Sequence, residues 1–256
     1  MNREKFRALF DMTDRVVIVT GGTRGLGLAL AEGYVAAGAK VVVASRKPEA
    51  CSATEQHLRD MGGQALGVPT HQGELDDLKR LVQRTCETFG GIDVVVNNAA
   101  NALGARHGAH TPEVWGKSLD INLRGPVFLV QEALPHLKQS GRAAVLNIVS
   151  PAAYLYSQMS PLYAIAKAGL VSATRSMAAE FANAGIRVNA LCPGTMDTDM
   201  VRKSPKEVQE RLPKMQLLQR IASPDELVGP ALLLTSDAGS FITGSVLFAD
   251  GGLVPR

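Results

Sequence analysis

Tyr163 and Lys167 stand four residues apart in Tyr163-Ala164-Ile165-Ala166-Lys167. On a helix, that spacing puts both side chains on one face. A phenol hydroxyl can give a proton to a carbonyl oxygen or take one from an alcohol. A free tyrosine titrates near pH ~10, too high for a good base at neutrality, and a nearby ammonium would lower that value. Tyr154 and Tyr156 lack this arrangement, since Gln158 and Ser160 occupy the positions four residues on. Ser150 closes an apolar run, thirteen residues before Tyr163. Its hydroxyl could hold a substrate oxygen close to the phenol.

A second group lies near the start of the chain, in Thr20-Gly21-Gly22-Thr23-Arg24-Gly25-Leu26-Gly27. Glycines there allow a tight turn and the close approach of a pyrophosphate, and a helix opening at this point offers free N–H groups. A third group, Ala44-Ser45-Arg46-Lys47, ends another apolar run. A carboxylate at such a place would bond ribose hydroxyls. Here the acid is replaced by cations, which suit a ribose 2′-phosphate or stay solvated at a helix start.

These groups need elements to bring them together. Apolar, β-branched runs occur at 15–20, 40–45, 65–68, 92–96, 143–149, 186–191 and 245–248. Most lack polar alternation, as expected for strands buried on both faces of a parallel sheet. Helical patterns fill 25–37, 48–61, 74–89 and 160–184, and others open at Thr111-Pro112 and Ser223-Pro224. Gly38, Gly62 and Gly90 follow the first three, and proline or a capping hydroxyl begins several. Alternating strands and helices predict right-handed crossovers, with ligands at the carboxyl ends of the strands.

The order and spacing of these motifs resemble the short-chain dehydrogenase/reductase family in its single-domain form, from roughly Thr13 to Gly252. The glycine turn is T-G-x-x-x-G-x-G, and Ser150 stands at the family's distance from Y-x-x-x-K. The resemblance implies an α/β fold. It would be a single Rossmann domain over 1–256, with a doubly wound, mostly parallel seven-stranded sheet and helices on both faces. It implies NAD(P)(H)-dependent interconversion of a ketone or 3-oxoacyl carbonyl and a secondary alcohol. Tyr163 would be the acid/base, Ser150 the oxygen holder, Lys167 the group that lowers the tyrosine pKa and holds a ribose, and Asn122 the anchor of a water relay.

The cofactor would meet Gly21, Thr23, Arg24, Gly25, Leu26 and Gly27, then Ser45, Arg46 and Lys47. Further along it would meet His71, Asn98, Ala99 and Ala100, then Tyr163 and Lys167, and finally Pro193, Gly194, Met196 and Thr198. The cations after the second strand favour NADP(H), with NAD(H) as the second choice. Ala100 replaces a glycine of the family pattern, and Thr70-His71-Gln72-Gly73 stands where an aspartate is usual. His71 is thus an adenine-side candidate by resemblance and an ordinary loop residue by composition. Ser150, Tyr156 and Tyr163 would touch substrate, with Pro151, Tyr154, Met196 and Met200 as further apolar wall. A medium-sized, fairly apolar ketone or β-keto thioester is expected beneath a cover formed by 199–220. The C-terminal Ile242-Thr243-Gly244 and Asp250-Gly251-Gly252 match the family's last strand, which implies a homotetramer.

Bulk properties exclude other classes. The 256 residues are 46% hydrophobic and 20% charged, with a net charge of +3. That is globular composition without the basic footprint of a nucleic-acid binder. The densest basic stretch, 202–220, is interrupted by Glu207 and Glu210. Cys51, Cys86 and Cys192 are too far apart for a metal or redox pair. Residues 1–10 lack an apolar leader core, and no apolar run would span a bilayer. A cytoplasmic protein with no bound metal is expected. Two alternatives share the dinucleotide-binding motif: a non-catalytic sensor, which would usually lack the tyrosine or lysine, and an extended epimerase or dehydratase, which would carry a longer chain and different glycine spacing.

Overall fold

A computed structural model describes residues 1–104, 106–197, 199–202 and 206–254. Its strands are β1 (Val16–Thr20), β2 (Lys40–Ser45), β3 (Gln64–Pro69), β4 (Val94–Asn97), β5 (Ala144–Ile148), β6 (Arg187–Pro193) and β7 (Val246–Ala249). They form one seven-stranded sheet in the order β3-β2-β1-β4-β5-β6-β7, and every pairing is parallel. The helices are α1 (Arg3–Ala8), α2 (Gly25–Ala36), α3 (Pro48–Asp60), α4 (Leu75–Phe89), α5 (Pro112–Leu119), α6 (Gly125–Ser140), α7 (Pro161–Phe181), α8 (Asp199–Arg202), α9 (Lys206–Arg211) and α10 (Val228–Thr235).

The unbroken apolar runs have their expected cause. Val17 and Val19 enter one core with α2 and α10, while Ile18 between them enters the other with α4, α6 and α7. All three are fully buried. Burying such a side chain contributes roughly 1.5–3 kcal/mol relative to leaving it exposed. The edge strand β7 departs from this pattern, being only partly buried along its length.

Three helical segments differ from a plain α reading. The segment opening at Thr111, whose hydroxyl accepts from Val114 N at 3.3 Å, does not run straight. A π-helical turn, Asp120–Arg124, joins α5 to α6. The pattern over 160–184 is α7 to Phe181, then a 3₁₀ turn that ends at Gly185 with φ 71°. The segment opening at Ser223 begins as a 3₁₀ turn, Pro224–Leu227, with a reciprocal Ser223–Glu226 capping box. The charged N-terminal stretch forms α1, capped by Asn2 and burying no residue of its own.

Because the sheet is parallel, Thr20, Ser45, Asn97, Ile148 and Pro193 all end on one edge. The registers Ser45↔Pro69, Asn97↔Asn147, Ile148↔Leu191 and Pro193↔Ala249 hold those ends side by side.

Candidate active site

The glycine turn crosses from β1 to α2. Gly21 and Gly25 have φ of 65° and 53°, the left-handed region that side chains disfavour. A Cβ on Gly27 would lie 2.1 Å from Gly21 O and 2.5 Å from Asn98 Nδ2, so only glycine lets the helix approach the strand this closely. Arg24 is the N-cap of α2 and makes no side-chain capping bond. The first N–H groups of a helix have no intrahelical partner. The turn therefore presents donors and open backbone, which fits a dinucleotide pyrophosphate.

The loop after β4 braces this turn. Asn98 Nδ2 donates to Thr20 O at 2.8 Å, and the amides of Asn98 and Ala99 both donate to Thr20 Oγ1 at 3.1 Å. Asn97 Nδ2 reaches Asn147 Oδ1 at 2.8 Å, tying β4 to β5 below the edge. Ala100 is exposed, and the alanine leaves these braces in place.

Ser45 ends β2, and Arg46 and Lys47 are exposed beside it. His71 donates its amide to Asp77 Oδ2 at 2.7 Å, and its Nδ1 accepts from Gly73 N at 3.2 Å. Its ring thus helps shape the loop after β3. On the far side, Pro193 ends β6 and Gly194 packs against Asp250, where a Cβ would come within 2.7 Å of backbone. Met196 is partly buried against the core, and its backbone bridges to that of Ala222. Thr198 and the side chain of Met200 lie outside the described residues.

Ser150 follows β5 and caps a 3₁₀ turn, its Oγ accepting from Ala152 N at 3.2 Å. Its hydroxyl also favours the ionised form of the Tyr163 phenol. Lys167 lies one turn further along α7 and is 2% exposed. Its Nζ donates to Ile148 O at 2.7 Å and sits 5.6 Å from the Tyr163 ring centroid. Burial pushes the ammonium down to about 8. Burial also raises the Tyr163 phenol, against the lowering by Ser150. The expectation that Lys167 depresses the tyrosine pKa is thus not met in the protein alone. The lysine head is held at the strand end beside the ring, and desolvation outweighs the favourable contacts.

Asn122 is fully buried in the π-helical turn, a distortion frequent at functional sites. Its Nδ2 donates to Asn101 O at 2.8 Å, Asn101 Oδ1 at 2.7 Å and Ser118 O at 2.9 Å, and its Oδ1 accepts from Asn101 N at 3.1 Å. Tyr154 packs its ring 4.9 Å from that of Phe248, whereas Tyr156 is 88% exposed. Thr20, Asn101 and Asn147 were not singled out from sequence. The clustering of asparagines at 97, 98, 101 and 122 was the available signal.

A family model described as Enoyl-(Acyl carrier protein) reductase matches residues 21–254. A cis-4-hydroxycyclohexanecarboxylate dehydrogenase from Sinomonas cyclohexanicum is 36% identical, covering 93% of this chain and 96% of its own. The human dehydrogenase/reductase SDR family member 4 is 33% identical, covering 96% and 89%. The chain belongs to the short-chain dehydrogenase/reductase family. A solved structure from Beutenbergia cavernae that holds NADP at low occupancy superposes with a TM-score of 0.91, at 30% identity, covering 97% and 100%. Membership makes the chain an NAD(P)-dependent oxidoreductase of alcohols and carbonyls. Among the described residues, no helix is long and apolar enough to cross a membrane, and no His/Cys/Asp/Glu group could hold a metal ion.

Proposed function

We propose that this short-chain dehydrogenase/reductase prefers NADP(H) and uses Tyr163 as its proton donor and acceptor. The observation that carries the proposal is the buried Lys167, whose Nζ is held by Ile148 O 5.6 Å from the Tyr163 ring, with Ser150 just after β5 at the edge where the glycine turn lies. When bound, the cofactor supplies or accepts the hydride at the substrate carbon. In the reductive direction, Ser150 bonds the carbonyl oxygen and holds it against Tyr163, which gives up its proton. Ile148 O fixes Lys167 Nζ beside the ring, ready to hold a ribose hydroxyl. Asn122 keeps the π-helical turn in place, so that a water relay to solvent can pass the lysine.

The cofactor preference rests on charge. Arg24, Arg46 and Lys47 are exposed and form no ion pair among the described residues. No carboxylate ends β2. A 2′-phosphate would gain charge-assisted hydrogen bonds there, each worth about 1.5–3 kcal/mol. The proposal also places residues 1–256 in one domain, in a cytoplasmic homotetramer.

Tyr163→Phe tests the chemistry. Turnover should vanish while NADPH still quenches or shifts fluorescence as in wild type. Retained turnover would reject Tyr163. Titrating wild type with both reduced cofactors tests the preference. NADPH should bind at least about tenfold tighter than NADH, a difference of ~1.4 kcal/mol. Equal or tighter NADH binding would mean that Arg46 and Lys47 are merely solvated.

A further inference from the structure

We infer that Gln216 is a positioning residue that holds the loop after β6 in the shape that receives the nicotinamide half of the cofactor. The inference deepens the proposed oxidoreductase function and rests on it. The sheet sets the direction in which the cofactor lies. Its pyrophosphate belongs at the glycine turn, at the end of β1. Its hydride must arrive beside Ser150 and Tyr163, at the end of β5. The pairing Ile148↔Leu191, continued by Val149 N donating to Leu191 O at 2.9 Å, puts Pro193 level with Ser150. The loop that follows, 194–197, therefore borders the place where the reacting end of the cofactor must stop.

That loop is gripped from another segment. Thr195 N donates to Gln216 Oε1 at 3.2 Å, and Thr195 O accepts from Ala222 N at 2.9 Å. Asp197 N donates to Ala222 O at 2.9 Å. Gln216 is 3% exposed, and a buried amide is tolerated when its polar atoms are bonded. Its Nε2 donates to Arg220 O at 2.7 Å, and its backbone O accepts from Gln219 N at 2.9 Å. The turn so closed holds Gln219 at φ 50°, a conformation uncommon for any residue but glycine. Arg220 then meets both oxygens of Glu226 at 2.7 Å. Gln216 thus ties a braced turn to Thr195.

The fit leaves no slack. A Cβ on Gly194 would lie 2.6 Å from Gln216 Oε1 and 2.7 Å from Asp250 Cα. Gly194 N donates to Ala249 O at 3.0 Å, and Leu218 N donates to Gly251 O at 3.1 Å. The Gln216 amide is wedged where the loop meets the chain leaving β7. Without it, Thr195 N–H loses that acceptor and the loop can shift. A displacement of about 1 Å is enough to misalign reacting groups. The adenosine half, held at the ends of β1 and β2, is separated from β6 by β4 and β5 and should not feel the change.

Calorimetric titration separates the two halves. NADPH is titrated beside adenosine 2′,5′-bisphosphate, which lacks the nicotinamide riboside, and NADH beside ADP. Wild type, Gln216→Met and Gln216→Asn are compared. Methionine fills similar space without either side-chain hydrogen bond, and asparagine keeps the amide but shortens its reach. Gln216→Met should weaken binding of the cofactor that wild type takes by about tenfold, while the Kd of its fragment stays unchanged. Gln216→Asn should show the same selective loss to a smaller degree, and it carries the test should the methionine variant not fold. An unchanged cofactor Kd would overturn the inference. So would equal weakening of cofactor and fragment, since a merely structural residue disturbs both halves alike. Either result leaves the oxidoreductase assignment standing. Failure of wild type to bind either cofactor would instead remove the proposed function and this inference with it.

Discussion

Burial acts on both members of the Tyr163–Lys167 pair, and the lysine shift has a consequence that can be measured on the free protein. Its ammonium falls from 10.5 to about 8 because α7 and the end of β5 exclude water from it. Between those two values the unfolded chain holds the proton and the folded chain does not. Stability contributed at this site therefore rises with pH across that window, and below about 8 the fold carries the full cost of a buried ammonium. Lys167→Met removes that cost. The variant's gain in Tm over wild type should be largest below pH 8 and should shrink towards pH 10.5. A gain that is flat with pH would mean that the lysine stays charged when buried.

At the scale of elements, the π-helical turn between α5 and α6 is held from outside itself. Asn101, in the loop after β4, clamps Asn122 and also donates its Nδ2 to Lys117 O at 3.1 Å. Asn101→Ala removes both side-chain bonds and should cost about 1–3 kcal/mol in stability. If the clamp also positions the turn beside Lys167, kcat should fall while the Kd for NADPH holds. A lower Tm with unchanged kcat would make Asn101 purely structural. Sequence could not show this clamp. The apolar, β-branched runs marked most of the strands as doubly buried, because burial on both faces erases alternation. The glycine turn and Y-x-x-x-K were legible because each needs fixed spacing within one local segment. The Asn101–Asn122 pair joins residues twenty-one positions apart through the tertiary fold, and a π turn leaves no simple periodic mark. Nor does spacing reveal that burial raises the Tyr163 phenol.

For the whole molecule, the open question is what lies against β7. It ends the sheet, is half-exposed along its length, and follows a fully exposed Phe241. An uncovered sheet edge invites pairing with another chain, and folded proteins commonly cover it. A solution mass of four chains by light scattering is expected. A mass of one chain would show that β7 remains an open edge and refute the homotetramer.

The parallel sheet also has an opposite edge, where helices hand over to strands. Gly62, Gly90, Gly141 and Gly185 mark four of these turns, each with positive φ and no atom within 4 Å of where a Cβ would point. They are outlets spaced along the side away from Ser150 and Tyr163. A fluorophore or short peptide inserted there would have room to project into solvent. The enzyme could be tethered, labelled or fused through that rim while its working edge remains open.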